Sequence, residues 1–138
     1  MRSLVGGLLL VMVGTAAWAV DDGDRSAARA TIERQLEAFK KNDPATAYAQ
    51  AAPQIQSMFS SPETFIAMVE QGYKPVLHPR SYSFDKTEDA DGDQLAQAVT
   101  LQDDEGVDWM ALYLLQKQAD GQWRITGCHL KKAPGTSA

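Results

Sequence analysis

Cysteine is nearly absent: Cys128 is the only one in 138 residues, so no disulfide can form within the chain and the lone thiol is expected to be buried. Histidine is scarce too, with only His78 and His129. A zinc site needs four ligands, most of them Cys or His. Cys128 and His129 are neighbours in an extended segment and point to opposite faces. A zinc site and a Cys–His dyad are therefore excluded. Basic clusters are missing as well. Lys40-Lys41 and Lys131-Lys132 are the only basic doublets, and binding nucleic acid requires Lys and Arg in number to neutralise phosphates. No catalytic motif and no cofactor fingerprint occur, so no catalytic residue and no cofactor are assigned.

Long apolar runs are confined to the N-terminus. Arg2 precedes an uncharged stretch from Leu4 to Ala17, and Ala17-Trp18-Ala19 fits the small-x-small rule of signal peptidase. A membrane span needs about 20 apolar residues, more than this run supplies before Asp21, Asp22 and Asp24. Residues 1–19 are expected to be a cleaved export signal, cut between Ala19 and Val20, with no membrane attachment afterwards. The product is expected in the periplasm or outside the cell. Removing the leader leaves 12 basic against 18 acidic residues, a formal charge of −6. The remaining 20–138 form one domain with one core.

The first half of that domain has helical periodicity. Ala28, Ile32, Leu36 and Phe39 form one stripe over 26–41, and residues 20–25, being polar, are expected to fray. Asp43-Pro44 starts a second helix, with the carboxylate as N-cap and proline at the first position. Its inner face is expected to be Ala45, Tyr48, Ala49 and Ala52, with Pro53 as its stop. Ile55 to Phe59 is expected to be a connector with a brief strand. Ser61-Pro62-Glu63 opens a third helix with Phe65, Met68 and Val69 inward, and Gly72 placed just past its end.

The second half has strand periodicity. Asp91-Gly92, Glu105-Gly106 and Asp120-Gly121 are hairpin signals between strands expected at 80–87, 94–102, 108–118 and 122–131. Helices followed by consecutive hairpins predict an α+β domain with a four-stranded antiparallel meander. In 108–118, Trp109, Ala111, Tyr113 and Leu115 alternate with Met110, Leu112 and Leu114, so the strand is expected to be central and covered on both faces. In the last strand Trp123 and Ile125 are out of phase with Cys128 and Leu130. A β-bulge at Gly127 would put all four on one face.

Three segments carry a family resemblance: Ala51-Ala52-Pro53-Gln54-Ile55 with Phe59, Gly72-Tyr73-Lys74-Pro75-Val76, and Asp120 to Cys128 (DGQWRITGC). Together they resemble an uncharacterised exported bacterial family, domain of unknown function 4864, along nearly the whole mature chain. The resemblance implies a cystatin/nuclear-transport-factor-like fold, in which a curved sheet wraps a helix into a cone, often with a pocket at its open end. It implies no activity.

The acidic stretch Asp89 to Asp93 fails the calcium-loop template, which needs glycine at the sixth position and glutamate at the twelfth. Gln94 and Thr100 stand there instead. Acid–base chemistry would need a carboxylate facing an apolar cavity, and no acid interrupts an apolar stripe. The pocket candidates are therefore Tyr48, Tyr113 and Cys128, with His78 as a titratable group near the mouth. Trp109 and Trp123 are expected to pack. The expected function is a non-enzymatic module that binds a small apolar ligand or a protein partner. Two alternatives stand beside it: an isomerase- or dehydratase-type enzyme using a pocket tyrosine and His78, and a homodimerisation module without ligand.

Overall fold

The structure, a computed structural model, describes residues 20–90 and 92–133; the expected leader and its cleavage point at Ala19 lie outside the described residues, save Val20. Helix α1 spans Asp22–Lys40 and starts earlier than its apolar stripe predicts. Asp21 caps it, and Asp24 reaches back to the Asp21 backbone in a reciprocal capping box. That pair satisfies two of the N–H groups a helix start leaves orphaned. Asp24 also accepts from Lys117 Nζ at 3.1 Å and Trp123 Nε1 at 3.2 Å. Burial alone would raise the Asp24 pKa, but these bonds outweigh it and hold the carboxyl below its ordinary range. The expected fraying is corrected accordingly, and Val20 is itself buried.

Helix α2 (Pro44–Ala49) begins at the Asp43 cap as expected, but its inner face differs. Ala47 is buried while Ala45 and Ala49 are exposed, because Gln35 of α1 anchors the Ala47 carbonyl at 3.1 Å. Pro53 opens a one-turn helix, α3 (Pro53–Gln56), in place of the brief strand expected beyond it. Ser61 caps α4 (Pro62–Gly72). Gly72 is its last residue, inside the helix, and has no positive φ. A 3₁₀ turn, Lys74–Val76, leads to the sheet.

Strands β1 (Ser81–Asp89), β2 (Gln94–Gln102), β3 (Asp108–Lys117) and β4 (Trp123–Lys132) form an antiparallel meander in the order β1-β2-β3-β4. Gly92, Gly106 and Gly121 supply the positive φ that tight turns require. A bulge between Ile125 and Gly127 opposes Leu114-Leu115 and brings Trp123, Ile125, Cys128 and Leu130 into one phase. A second bulge lies in β1 between Phe84 and Thr87. Bulges bend a strand and increase its local twist.

The concave face and the helices share one core that includes Ile32, Leu36, Phe39, Val99, Ala111 and Leu115. The convex face of β3 is not covered by described residues: Leu112 is 37% exposed, and Met110 and Leu114 stand outside the core. The expectation that both faces of β3 are covered is corrected here. No helix among the described residues is long and apolar enough to cross a membrane.

Candidate functional site

Between the helices and the bulged end of β4 lies a pocket of about 110 Å³. Phe39, Phe65, Val69, Val76 and Ile125 make its apolar wall. The half-buried lining residues Ile55, Met68, Tyr73 and Cys128 mark its mouth. Its shape follows from the elements around it. Phe65 stacks against Phe39 at 6.4 Å and meets Phe59 edge-on at 5.6 Å, which fixes α4 against α1. Ala51 forms a bridge to Ile125, and its small side chain leaves the space open.

The polar side chains in the lining are Gln35, Tyr113 and Cys128, with Tyr73 at the mouth. The Gln35 amide nitrogen is engaged by the Ala47 carbonyl. Tyr113 and Cys128 are direct cross-strand partners on the concave face. Tyr113 is 1% exposed, and its hydroxyl is buried with no hydrogen-bond partner among the described residues. Burial pushes its pKa well above the ordinary phenol range, and the adjacent Cys128 adds to the shift. Burial likewise pushes the Cys128 thiol up to about 12, a rise that Tyr113 partly offsets. The thiol is at best a weak acceptor and does not satisfy the hydroxyl. Both groups are therefore protonated and uncharged near neutral pH. The Tyr113–Cys128 contact contributes to both shifts but falls short of hydrogen-bond geometry, which leaves Tyr113 a donor without a partner among the described residues.

The structure thus brings Tyr113 and Cys128 together and leaves Tyr48 and His78 elsewhere. The Tyr48 ring packs edge-on against Phe65 at 5.7 Å, and its hydroxyl donates to the Gln56 carbonyl at 2.7 Å, tying α3 to α2. His78 is exposed on a separate cleft with Trp109 and the turn Asp103 to Glu105. Bonds from Trp109, Val107 and Glu105 hold the Asp103 carboxyl below its ordinary range, so this acid serves its own turn. His129 is exposed on the convex side. Among the described residues no group of acids, His and Cys could hold a metal ion.

Sequence reasoning passes over Gln35. Its signal is present: Gln35 lies in phase with Ile32, Leu36 and Phe39, a polar residue inside an apolar stripe.

Helices packed in the concavity of a bulged meander define an NTF2-like α+β cone, and solved structures share it. An NTF2-like protein of unknown function from Shewanella baltica OS155 is 13% identical, with a TM-score of 0.55 over 82% of this chain and 96% of that one. A ketosteroid isomerase-like protein from Erwinia carotovora atroseptica is 15% identical, with a TM-score of 0.54 over 83% and 100%. The iota-carbonic anhydrase from a cyanobacterium, complexed with bicarbonate, is 15% identical, with a TM-score of 0.51 over 89% and 98%. At such identities the likeness is one of fold alone. No curated protein matches the chain at a significant level. The chain belongs to the family described as "Domain of unknown function (DUF4864)", whose model matches residues 21–138.

Proposed function

We propose that this domain is an exported binding module that holds a small, largely apolar ligand between α1, α4 and β4. The observation that carries this reading is the Tyr113 hydroxyl, buried and unpartnered beside an apolar pocket. A buried donor without a partner costs about 1–3 kcal/mol, and a ligand oxygen would remove that penalty. Binding rather than catalysis is favoured because no Asp, Glu, His, Lys or Arg among the described residues lines the pocket, and burial keeps Tyr113 and Cys128 protonated, so neither supplies a base near neutral pH. The test is native mass spectrometry of protein recovered from its own compartment. An added mass that Ile125→Trp abolishes supports the reading, and protein that is ligand-free at every step of recovery counts against it. Export itself is part of the proposal: the recovered chain should begin at Val20, and material beginning at Met1 would refute that processing.

A second reading rests on the convex face. Ala98 pairs with Leu112 and Ala96 with Leu114 there, a small apolar patch with Leu112 well exposed. Its β1 margin carries outward Asp85 and Glu88 around Lys86, and its β4 margin carries outward Arg124 and Lys131. Two copies related by an axis along the strands would set acidic margin against basic margin. Sedimentation should then show a dimer that Leu112→Lys converts to monomer. A monomer in the unaltered protein would dispose of this reading.

A further inference from the structure

If the pocket is a binding site, its walls also specify the chemistry of what it holds, an inference that rests on the binding-module reading. We propose that the ligand is uncharged and enters with a hydrogen-bond acceptor oxygen that the Tyr113 hydroxyl engages. Three observations converge on this. The first is the hydroxyl of Tyr113, a residue 1% exposed, which has no partner among the described residues and is a donor in want of an acceptor. The second is the absence, among the described residues, of any ionic side chain from the lining. An anion or cation placed there would lose its hydration and find no counter-charge, a penalty of several kcal/mol. The third is that water fits poorly. A buried water needs two to four polar partners, and beside Phe39, Phe65, Val69 and Ile125 the inner lining offers only Tyr113, Gln35 with its amide nitrogen already engaged, and the weakly accepting Cys128. An oxygen attached to an apolar body suits these walls better, because that body can replace the hydrogen bonds a water would lack with dispersion contacts.

Size narrows the class further. A cavity of about 110 Å³ is smaller than an apolar cavity of about 150 Å³ that accepts benzene. It therefore holds a short chain or the end of a longer one, whose remainder passes out between Met68 and Tyr73. A small ketone, ester, amide or alcohol group at the head of an apolar chain meets all of these conditions.

Three probes of one shape separate the alternatives: methyl propyl ketone, its isostere with a methylene group in place of the carbonyl oxygen, and butanoate. Binding is read by ligand-detected NMR near neutral pH, with xenon as an independent probe of whether the cavity is open. The ketone is expected to bind about tenfold or more tightly than both isosteres, a difference equal to about one hydrogen bond. Tyr113→Phe should take up xenon as before and lose the preference for the ketone over the methylene isostere, while the bias against butanoate stays. If butanoate binds as well as the ketone, or Tyr113→Phe keeps the preference over the methylene isostere, the inference is overturned. If the methylene isostere equals the ketone while xenon enters, the donor role of Tyr113 falls but the pocket reading survives. If neither xenon nor any probe enters, both fall together.

Discussion

Gln97 and Tyr113 face each other across β2 and β3 as direct register partners, and they are equally deep, at 0% and 1% exposure. Their polar atoms have opposite fates. The Gln97 carbonyl accepts from Thr87 Oγ1 at 2.6 Å and Arg29 Nε at 3.0 Å. Its amide donates to the Ala98 carbonyl at 2.8 Å and the Asp85 carbonyl at 3.0 Å. These bonds hold the β1 bulge, and Arg29, resting 5.9 Å from the Phe84 ring, closes that end of the cone. The Tyr113 hydroxyl has none of this. A buried amide with every bond made is structural, whereas a buried donor left open at the same depth calls for an explanation, and the proposed ligand supplies one.

Four changes would break or sharpen that contrast. The largest effect is expected from Gln97→Leu, which keeps the volume but orphans Arg29, Thr87 and the bulge carbonyls. It should destabilise the domain by about 3 kcal/mol, read as a lower urea midpoint at unchanged slope. A loss under about 1 kcal/mol would show that water satisfies those groups.

Next comes Cys128. Its folded pKa of about 12 lies above the 9.0 of an unperturbed thiol, so above pH 9 the unfolded chain releases a proton that the folded chain keeps. Stability is then fully present below pH 9 and falls as pH rises toward 12, by at most about 1.4 kcal/mol per unit. Cys128→Ala should flatten that decline between pH 9 and 10. An identical pH profile in both proteins would mean that the thiol is not shielded when folded.

Tyr113→Phe should go the other way. Removing an unpartnered buried hydroxyl should raise ligand-free stability by about 1 kcal/mol, in contrast to Gln97. A clear loss of stability in the same urea melt would mean that the hydroxyl already has a partner and that the contrast is false. The smallest effect belongs to Gly127→Ala. Gly127 has no positive φ, and an added Cβ would meet the Leu114 side chain at an ordinary 3.6 Å. A shift within about 0.5 kcal/mol is expected. A larger loss would show that the bulge needs glycine.

Much of this is legible in the chain. Capping carboxylates or hydroxyls before Pro44 and Pro62, and acid-glycine pairs at the turns, mark element ends through local chemistry that tertiary contacts do not override. The phase slip between Ile125 and Cys128 likewise locates the bulge, and with it the pairing of Cys128 with Tyr113. Other features are less accessible. The start of α1 is hidden because Asp21 and Asp24 look merely polar, while their role depends on Lys117 and Trp123 far along the chain. The face of α2 is obscure because a run of alanines carries little periodicity, so Gln35 rather than hydrophobicity decides which carbonyl turns inward. The pocket is beyond periodicity altogether. A pattern names the residues that face inward, but only packing shows whether Tyr113 meets a neighbour or a gap.

The β4 segment 123–125 is where the helical layer is fastened. Thr31 donates to the Trp123 carbonyl at 2.9 Å, Ala52 N–H to the Ile125 carbonyl at 2.8 Å, and Ile125 N–H to the Gln50 carbonyl at 2.9 Å. These attachments join segments 73 to 92 residues apart, while the hairpins themselves close locally. Closing contacts of that span costs more chain entropy than closing the hairpins. Segment 123–125 is thus where the two halves of the domain depend on each other most directly: weakening it would loosen the helical layer from β4 while leaving every hairpin closed.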